Sequence, residues 1–186
     1  MKSTGQIVEI LSNSPLYNDS WKELQSLKEQ LKVRSTTPKF NLFDGILIGG
    51  YQGTANFHIG QRKGVPISGS KKPLYVIALD AEENRIFVGA GKDHPGLFRD
   101  VAEIRNAEIA WEQIADRQPF TENEATPVTI TFEETHQTTD AKLYHYQDNT
   151  FIEFPKPLKI NQQQHSIAIK VNDQLLAKTF INLTLI

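Results

Sequence analysis

Two runs set close together decide how this chain is read. The first is Asp44-Gly45-Ile46-Leu47-Ile48-Gly49-Gly50-Tyr51-Gln52-Gly53. The second is Asn56-Phe57-His58-Ile59-Gly60-Gln61-Arg62-Lys63-Gly64. An Asp-Gly turn opens a short apolar strand, and Phe57 to Ile59 predicts a second short strand that enters a basic loop. Gly60 and Gly64 bracket that loop and can adopt positive φ angles that other residues resist. The bracket predicts a tight turn that holds Gln61, Arg62 and Lys63 outward. Such a turn offers backbone donors and two cations to a phosphate. A solvated hairpin turn remains open as the alternative for so short a loop.

Working outward, Leu74 to Leu79 is rich in β-formers, and Asp80-Ala81-Glu82-Glu83-Asn84 turns it into a second strand, Arg85 to Gly89. Upstream, Ile7 to Ile10 predicts a strand. Ser20 and Glu23 have the spacing of a capping box, which predicts a helix over about 21–32. Trp21, Leu24, Leu27 and Leu31 recur on one face of it. That face is read as packing on a neighbouring sheet, with partner binding as the lesser reading. Ser35-Thr36-Thr37-Pro38 ends the helix, because proline disfavours helical angles in the residue before it. Downstream of residue 98 the chain reads as all-β. Short runs recur at Ala107–Trp111, Val128–Phe132, Ala141–His145, Thr150–Phe154, Ser166–Val171, Leu175–Ala177 and Thr179–Leu185, with the spacing of a small barrel. The expected class is mainly β: an α+β domain with one helix over residues 1–98, then a small all-β barrel over 99–186.

At 186 residues the chain suits one domain or two small ones and can bury a core. No apolar run approaches the roughly 20 residues of a membrane span, and Lys2-Ser3-Thr4-Gly5 is not followed by a leader's apolar segment. A cytoplasmic, membrane-free protein is the expectation. There are no cysteines, which removes disulfides, thiolate metal sites and cysteine chemistry. The five histidines, at 58, 94, 136, 145 and 165, are scattered without metal spacing. His94 beside Asp93 reads as a turn histidine, and no Ser/His/Asp constellation stands out. No cofactor is expected.

The net charge of −2 hides an asymmetry: residues 1–98 hold 12 Lys/Arg against 9 Asp/Glu, and residues 99–186 hold 8 against 13. A nucleic-acid surface gathers cations, so any RNA contact is expected in the first half. The candidate RNA-binding residues are Gln61, Arg62, Lys63, Lys71 and Lys72.

Asp44 to Gly64, followed by Pro73-Leu74-Tyr75-Val76-Ile77, resembles the middle domain of the bacterial tRNA-specific 2-thiouridylases, with their "T-I-G-Q-R-(K/R)-G" signature before a "P-(L/W)-Y-V" strand. Ile59 to Gly64 matches without a gap, and His58 stands where the family has Thr. Gly91-Lys92-Asp93-His94-Pro95-Gly96-Leu97 resembles the family's "G-x-D-H-P-x-L" link to its last domain. The resemblance covers nearly the whole chain, more faintly at both ends. It implies a C-terminal barrel akin to the second domain of translation elongation factors, with Trp111 on the family's "(V/L)-(N/H)-W" strand and Pro119-Phe120 in the following loop.

The departures from the family are informative. Ser3-Thr4-Gly5 is similar to the family's "S-T-G-I-C-F-I-G" segment, but its sulfur-handling cysteine falls at or beside Ile7. An aliphatic side chain carries no persulfide. The family's "(V/T)-K-(I/T)-R-Y-R" strand corresponds to Val128-Thr129-Ile130-Thr131-Phe132-Glu133, so its arginines have become Thr131 and Glu133, and Glu134 adds another carboxylate. Near phosphate these repel where arginine attracts. The family's ATP site uses an "S-G-G-V-D-S-S" loop, and nothing like it occurs here. The chain alone is therefore expected not to be an enzyme. Three functions follow: a module that grips tRNA or another structured RNA, the substrate-binding part of a split enzyme completed by a separate ATP-pyrophosphatase subunit, or a protein-interaction module that has lost RNA.

Overall fold

The computed structural model describes residues 4–52, 57–65, 67, 72–113 and 120–185. The expectations placed on Ser3, Lys71 and Pro119 lie outside the described residues. The chain divides into two compact units, one of residues 1–19 and 37–98, the other of residues 20–36 and 99–186. The division falls after Phe98, but the segment from Ser20 to Thr36 groups with the second unit rather than the first.

The first unit is a four-stranded sheet. Its strands are β1 (Thr4–Glu9), β2 (Ile46–Gln52), β3 (Leu74–Asp80) and β4 (Arg85–Ala90), in the order β2-β1-β4-β3. β1 runs antiparallel to β2 and parallel to β4, and β3 and β4 form the hairpin expected from the sequence. Alternate residues feed two apolar layers. Val8, Ile10, Phe40, Ile77, Phe87 and Leu97 pack together, as do Ile7, Leu74, Val76, Ile86 and Val88. Burial of each large side chain stabilises by about 1.5–3 kcal/mol. Phe57, Val65 and Ile67 lie against the second cluster, so the basic loop is fastened on both sides.

Phe57 to Ile59 is not a strand. The His58 N–H donates to the Gln61 side-chain oxygen at 3.1 Å, and the Gln61 N–H to the His58 carbonyl at 3.1 Å. These bonds close a turn where a strand would have extended.

The second unit begins with a 3-10 turn, Ser20–Glu23, and the helix α1, Leu27–Ser35. The helix therefore starts later than its expected span of 21–32. The reason is a second Ser-x-x-Glu box: Ser26 accepts the Glu29 N–H at 3.4 Å and takes the N-cap role assigned to Ser20. Leu27 and Leu31 pack on Val101, Tyr144, Tyr146 and Phe151. Trp21 and Leu24 precede the helix rather than lining its face.

Next come β5 (Phe98–Arg105), a 3-10 turn over Asn106–Glu108, β6 (Ala110–Trp111), β7 (Thr126–Phe132), β8 (Thr138–His145), β9 (Asn149–Val171) and β10 (Gln174–Thr184). The strand expected over Ala107–Trp111 is thus only two residues long. β9 joins two expected strands into one of 23 residues. Its first part pairs with β8, its middle with the end of β10, and its last part with β7 and β10. This double use of β9 closes the five-stranded antiparallel barrel. Pro155 and Pro157 fall between the β8-paired and β10-paired parts of β9, which also pairs with β5. β10 likewise joins two expected strands across register shifts at Leu175/Ala177 and Ile181/Leu183.

Candidate nucleic-acid interface

The Gly60–Gly64 loop sits on the outer side of β3, an edge strand. Gly60 N–H donates to the Val76 carbonyl at 2.8 Å, and Val76 N–H donates to the Gln61 carbonyl at 2.9 Å. Gly60 has φ +86° and Gly64 φ +84°, the left-handed region in which a side chain is strained. Both glycines therefore serve the reversal anticipated from their spacing.

Gln61 is only partly exposed, and its side chain works inward. Its amide nitrogen donates to the Lys63 carbonyl at 2.7 Å while its oxygen accepts from His58. Gln61 thus shapes the loop, whereas Arg62 and Lys63 project into solvent. Neither cation forms an ion pair among the described residues. Lys72 is exposed but lies four residues before Val76, roughly 13 Å along an extended strand. Arg62 and Lys63 are neighbours in the loop, and Lys72 stands just before the start of β3. Lys71 lies outside the described residues.

The two barrel carboxylates expected to repel phosphate, Glu133 and Glu134, are engaged internally. Glu133 accepts from Lys178 Nζ at 2.6 Å and from the Ser166 hydroxyl. Glu134 accepts from Ser166 N–H at 2.8 Å and lies 3.6 Å from His165 Nδ1. Lys178 first, then Ser166, holds the Glu133 carboxyl below its usual range, and the Ser166 N–H does the same for Glu134. These two residues fasten the end of β7 to β9 and β10 and do not form a cationic RNA surface.

His94 is a structural group. It is 2 % exposed, its Nδ1 accepts the Gly96 N–H at 3.2 Å, and its Nε2–H therefore donates to the Ile10 carbonyl at 3.0 Å. Burial pushes its pKa down, against the opposing pull of the Ile10 carbonyl. A histidine whose folded pKa is lowered supports folding fully above its ordinary value of 6.5, and that support is lost as pH falls from 6.5 toward the folded value. Melts of the first unit at pH 7.5 and 5.5 should show lower stability at pH 5.5, and His94→Gln should flatten that difference. Among the described residues no group of three or more His, Cys, Asp or Glu could hold a metal, and no helix is long and apolar enough to cross a membrane.

Sequence reasoning overlooked a largely covered cation in the second unit. Arg34, at the end of α1, binds Asp100 at 2.6 Å and Glu153 at 2.8 Å, and its guanidinium lies 4.6 Å from the Trp21 ring centroid. The Tyr144 hydroxyl donates to Glu153 at 2.9 Å. Nothing local to Arg34 signals these partners.

The tRNA methyl transferase PRC-barrel domain family matches residues 26–90. The tRNA-specific 2-thiouridylase MnmA of Flavobacterium johnsoniae is 29% identical over 178 residues, covering 96% of this chain and 45% of that protein. Its counterpart in Karelsulcia muelleri is 32% identical over 179 residues, covering 96% and 43%. That of Chlamydia pneumoniae is 40% identical over 65 residues. The chain therefore spans less than half the length of the relatives it matches along nearly all of its own. A glycine-bracketed basic loop, an edge-strand anchor and a barrel closed by one long strand thus accompany matches over 96% of the chain, which is a relative of the middle and C-terminal part of the tRNA-specific 2-thiouridylases.

Proposed function

We propose that this chain is a non-catalytic tRNA-binding module that grips the phosphate backbone through Arg62 and Lys63. The observation that carries the reading is the loop itself. Gln61 and two positive-φ glycines fix its shape, and its two cations stand in solvent without an ion pair among the described residues. A preshaped loop gives phosphate two charge-assisted contacts with little ordering cost. The names of the relatives, tRNA-specific 2-thiouridylases, supply the nucleic acid. Lys72, exposed just before β3, would add a further cation to the contact.

The test is binding to total tRNA across a salt series, with Arg62→Glu/Lys63→Glu alongside. Affinity should fall steeply with salt. The variant should bind roughly 10- to 100-fold more weakly, and its salt slope should be shallower by about 2. No affinity, or affinity untouched by the double reversal, defeats the reading.

A second reading is favoured by one surface. Phe43 is 94% exposed on a 3-10 turn, where the Asn41 side chain accepts the Phe43 N–H at 2.8 Å and Asp44 accepts the Asn41 N–H at 2.7 Å. Ile46 and Leu47, 54% and 53% exposed, follow on the edge strand β2. Exposed apolar side chains of this kind suit a protein partner. The partner in this reading is a separate ATP-pyrophosphatase protein that supplies the chemistry for tRNA held by this chain. Co-purification with such a protein, lost in Phe43→Asp, supports it; co-purification without any such protein counts against it.

A further inference from the structure

A cavity of about 440 Å3 lies in the first unit directly beside the basic loop. Phe40, Ile59, Ala78 and Phe87 give it an apolar floor, and Lys39 and Glu82 stand among its lining residues. Ile59 lines the cavity and stands three residues before Arg62 in the basic loop. β3 bounds the cavity from Ala78 to Asp80. Asp80 accepts the N–H groups of Glu82 at 3.1 Å and Glu83 at 3.0 Å, which fixes the turn that carries Glu82. Glu82 is exposed and forms no ion pair among the described residues.

The volume suits a small ligand. Among the lining charges two carboxylates, Asp80 and Glu82, outnumber the one cation, Lys39, which disfavours a phosphate inside the cavity, while Arg62 and Lys63, three and four residues beyond Ile59, attract one. A nucleotide has that polarity: an apolar, hydrogen-bonding base joined to an anionic phosphate. Sequence-specific RNA readers take unstacked bases in this way, with apolar contact to the ring and hydrogen bonds to its edge. We propose that the cavity receives one unstacked base of the bound RNA, guanine in preference to uracil, with its phosphate on Arg62 and Lys63. Guanine presents its N1–H and its N2 amine side by side, and a carboxylate such as that of Glu82 accepts both. Uracil offers a carboxylate a single N3–H flanked by two carbonyls. The inference rests on the RNA-binding reading above and gives it a base preference.

The experiment is an amide NMR titration of the full chain with guanosine monophosphate and with uridine monophosphate, repeated on Glu82→Gln and Ala81→Trp. Glu82 and Ala81 are exposed turn residues, and a retained wild-type spectrum verifies folding. Guanosine monophosphate should shift residues 37–40, 59–62 and 78–82 and bind at least about tenfold more tightly than uridine monophosphate. Glu82→Gln should remove that preference, and Ala81→Trp should abolish binding by blocking the mouth. Equal response to both nucleotides, or shifts elsewhere, overturns the inference. The salt-dependent tRNA assay separates the two failures. If tRNA binds through Arg62 and Lys63 while guanosine monophosphate leaves the cavity residues unmoved, the base site fails and the RNA module stands. If guanosine monophosphate binds as described while tRNA affinity ignores the loop reversal, the RNA module fails and the base site stands.

Discussion

Arg34→Met should lower the stability of the second unit by about 3 kcal/mol at pH 7. The Arg34 side chain is 11% exposed, while those of Asp100 and Glu153 are 33% and 21% exposed. Methionine keeps most of the stem volume, so the loss is electrostatic. Removing one partner of a fully buried pair costs about 3–5 kcal/mol, because the other charge is left unpaired. Partial solvent access to the two carboxylates discounts that figure, and loss of the cation over Trp21 restores about 1 kcal/mol of it. Urea unfolding followed by tryptophan fluorescence reads this unit alone, since Trp21 and Trp111 both lie in it. The pH dependence carries a second signature. Burial opposes the charged form of Glu153, but the bonds from Arg34 and Tyr144 outweigh it and hold the carboxyl below its ordinary 4.5. A lowered carboxyl pKa stabilises above the ordinary value and loses that support as pH falls through the folded value. The gap between wild type and Arg34→Met should therefore be full at pH 7 and narrow below about pH 4.5. A variant as stable as wild type at pH 7 would mean that Leu27, Leu31 and the Lys32–Glu103 pair hold α1 without the Arg34 contacts.

The same residue shows where sequence reading stops. Arg34 meets Asp100 across 66 positions, and Lys32 meets Glu103 across 71. β5 was not among the expected strands, and two of its charges, Asp100 and Glu103, meet Arg34 and Lys32 of α1. The Glu133 and Glu134 carboxylates, read as free repellers of phosphate, are spent on Ser166 and Lys178, 32 to 45 positions away. In each case the sequence shows a charge but not its partner, and the partner decides what the charge does.

Local signals fared better. The β3–β4 hairpin was legible because its turn chemistry is contiguous: Asp80 caps the reversal, and Asn84 takes the positive φ of 51° that asparagine tolerates. The Gly60 and Gly64 bracket was legible for the same reason. The role of Gln61 was not, since nothing in its identity says that its amide would turn inward to His58 and Lys63. The helix start failed through a rivalry rather than a silence. Ser20-x-x-Glu23 and Ser26-x-x-Glu29 both fit a capping box, and only tertiary packing of Leu27 and Leu31 selects the second. The cavity beside the loop needs Phe40, Ile59 and Ala78 side by side, which no spacing along the chain foretells.

Gly89→Ala should cost the first unit about 3 kcal/mol, although it adds a single methyl group. A Cβ at this position of β4 would come within 2.6 Å of three ring atoms of His94. The ring cannot yield cheaply. Gly96 N–H and the Ile10 carbonyl hold it from opposite nitrogens, and Tyr17 lies edge-on to it at 5.4 Å between centroids. Overpacking of a filled core costs about 1–3 kcal/mol, and a buried hydrogen bond broken in relieving it adds about 1–3 kcal/mol for the unsatisfied group. His94 anchors the turn that follows β4 to the end of β1, so the damage should spread along both strands. Amide exchange at Val8, Ile10, Phe87 and Val88 should accelerate together, with tryptophan fluorescence of the second unit unchanged. The double variant Gly89→Ala/His94→Ala discriminates between a steric cost and a backbone one. With the ring removed, the added methyl has room, so Gly89→Ala should cost far less in the His94→Ala background than in wild type. Strictly additive effects would show that the glycine serves the strand itself rather than the histidine packed against it.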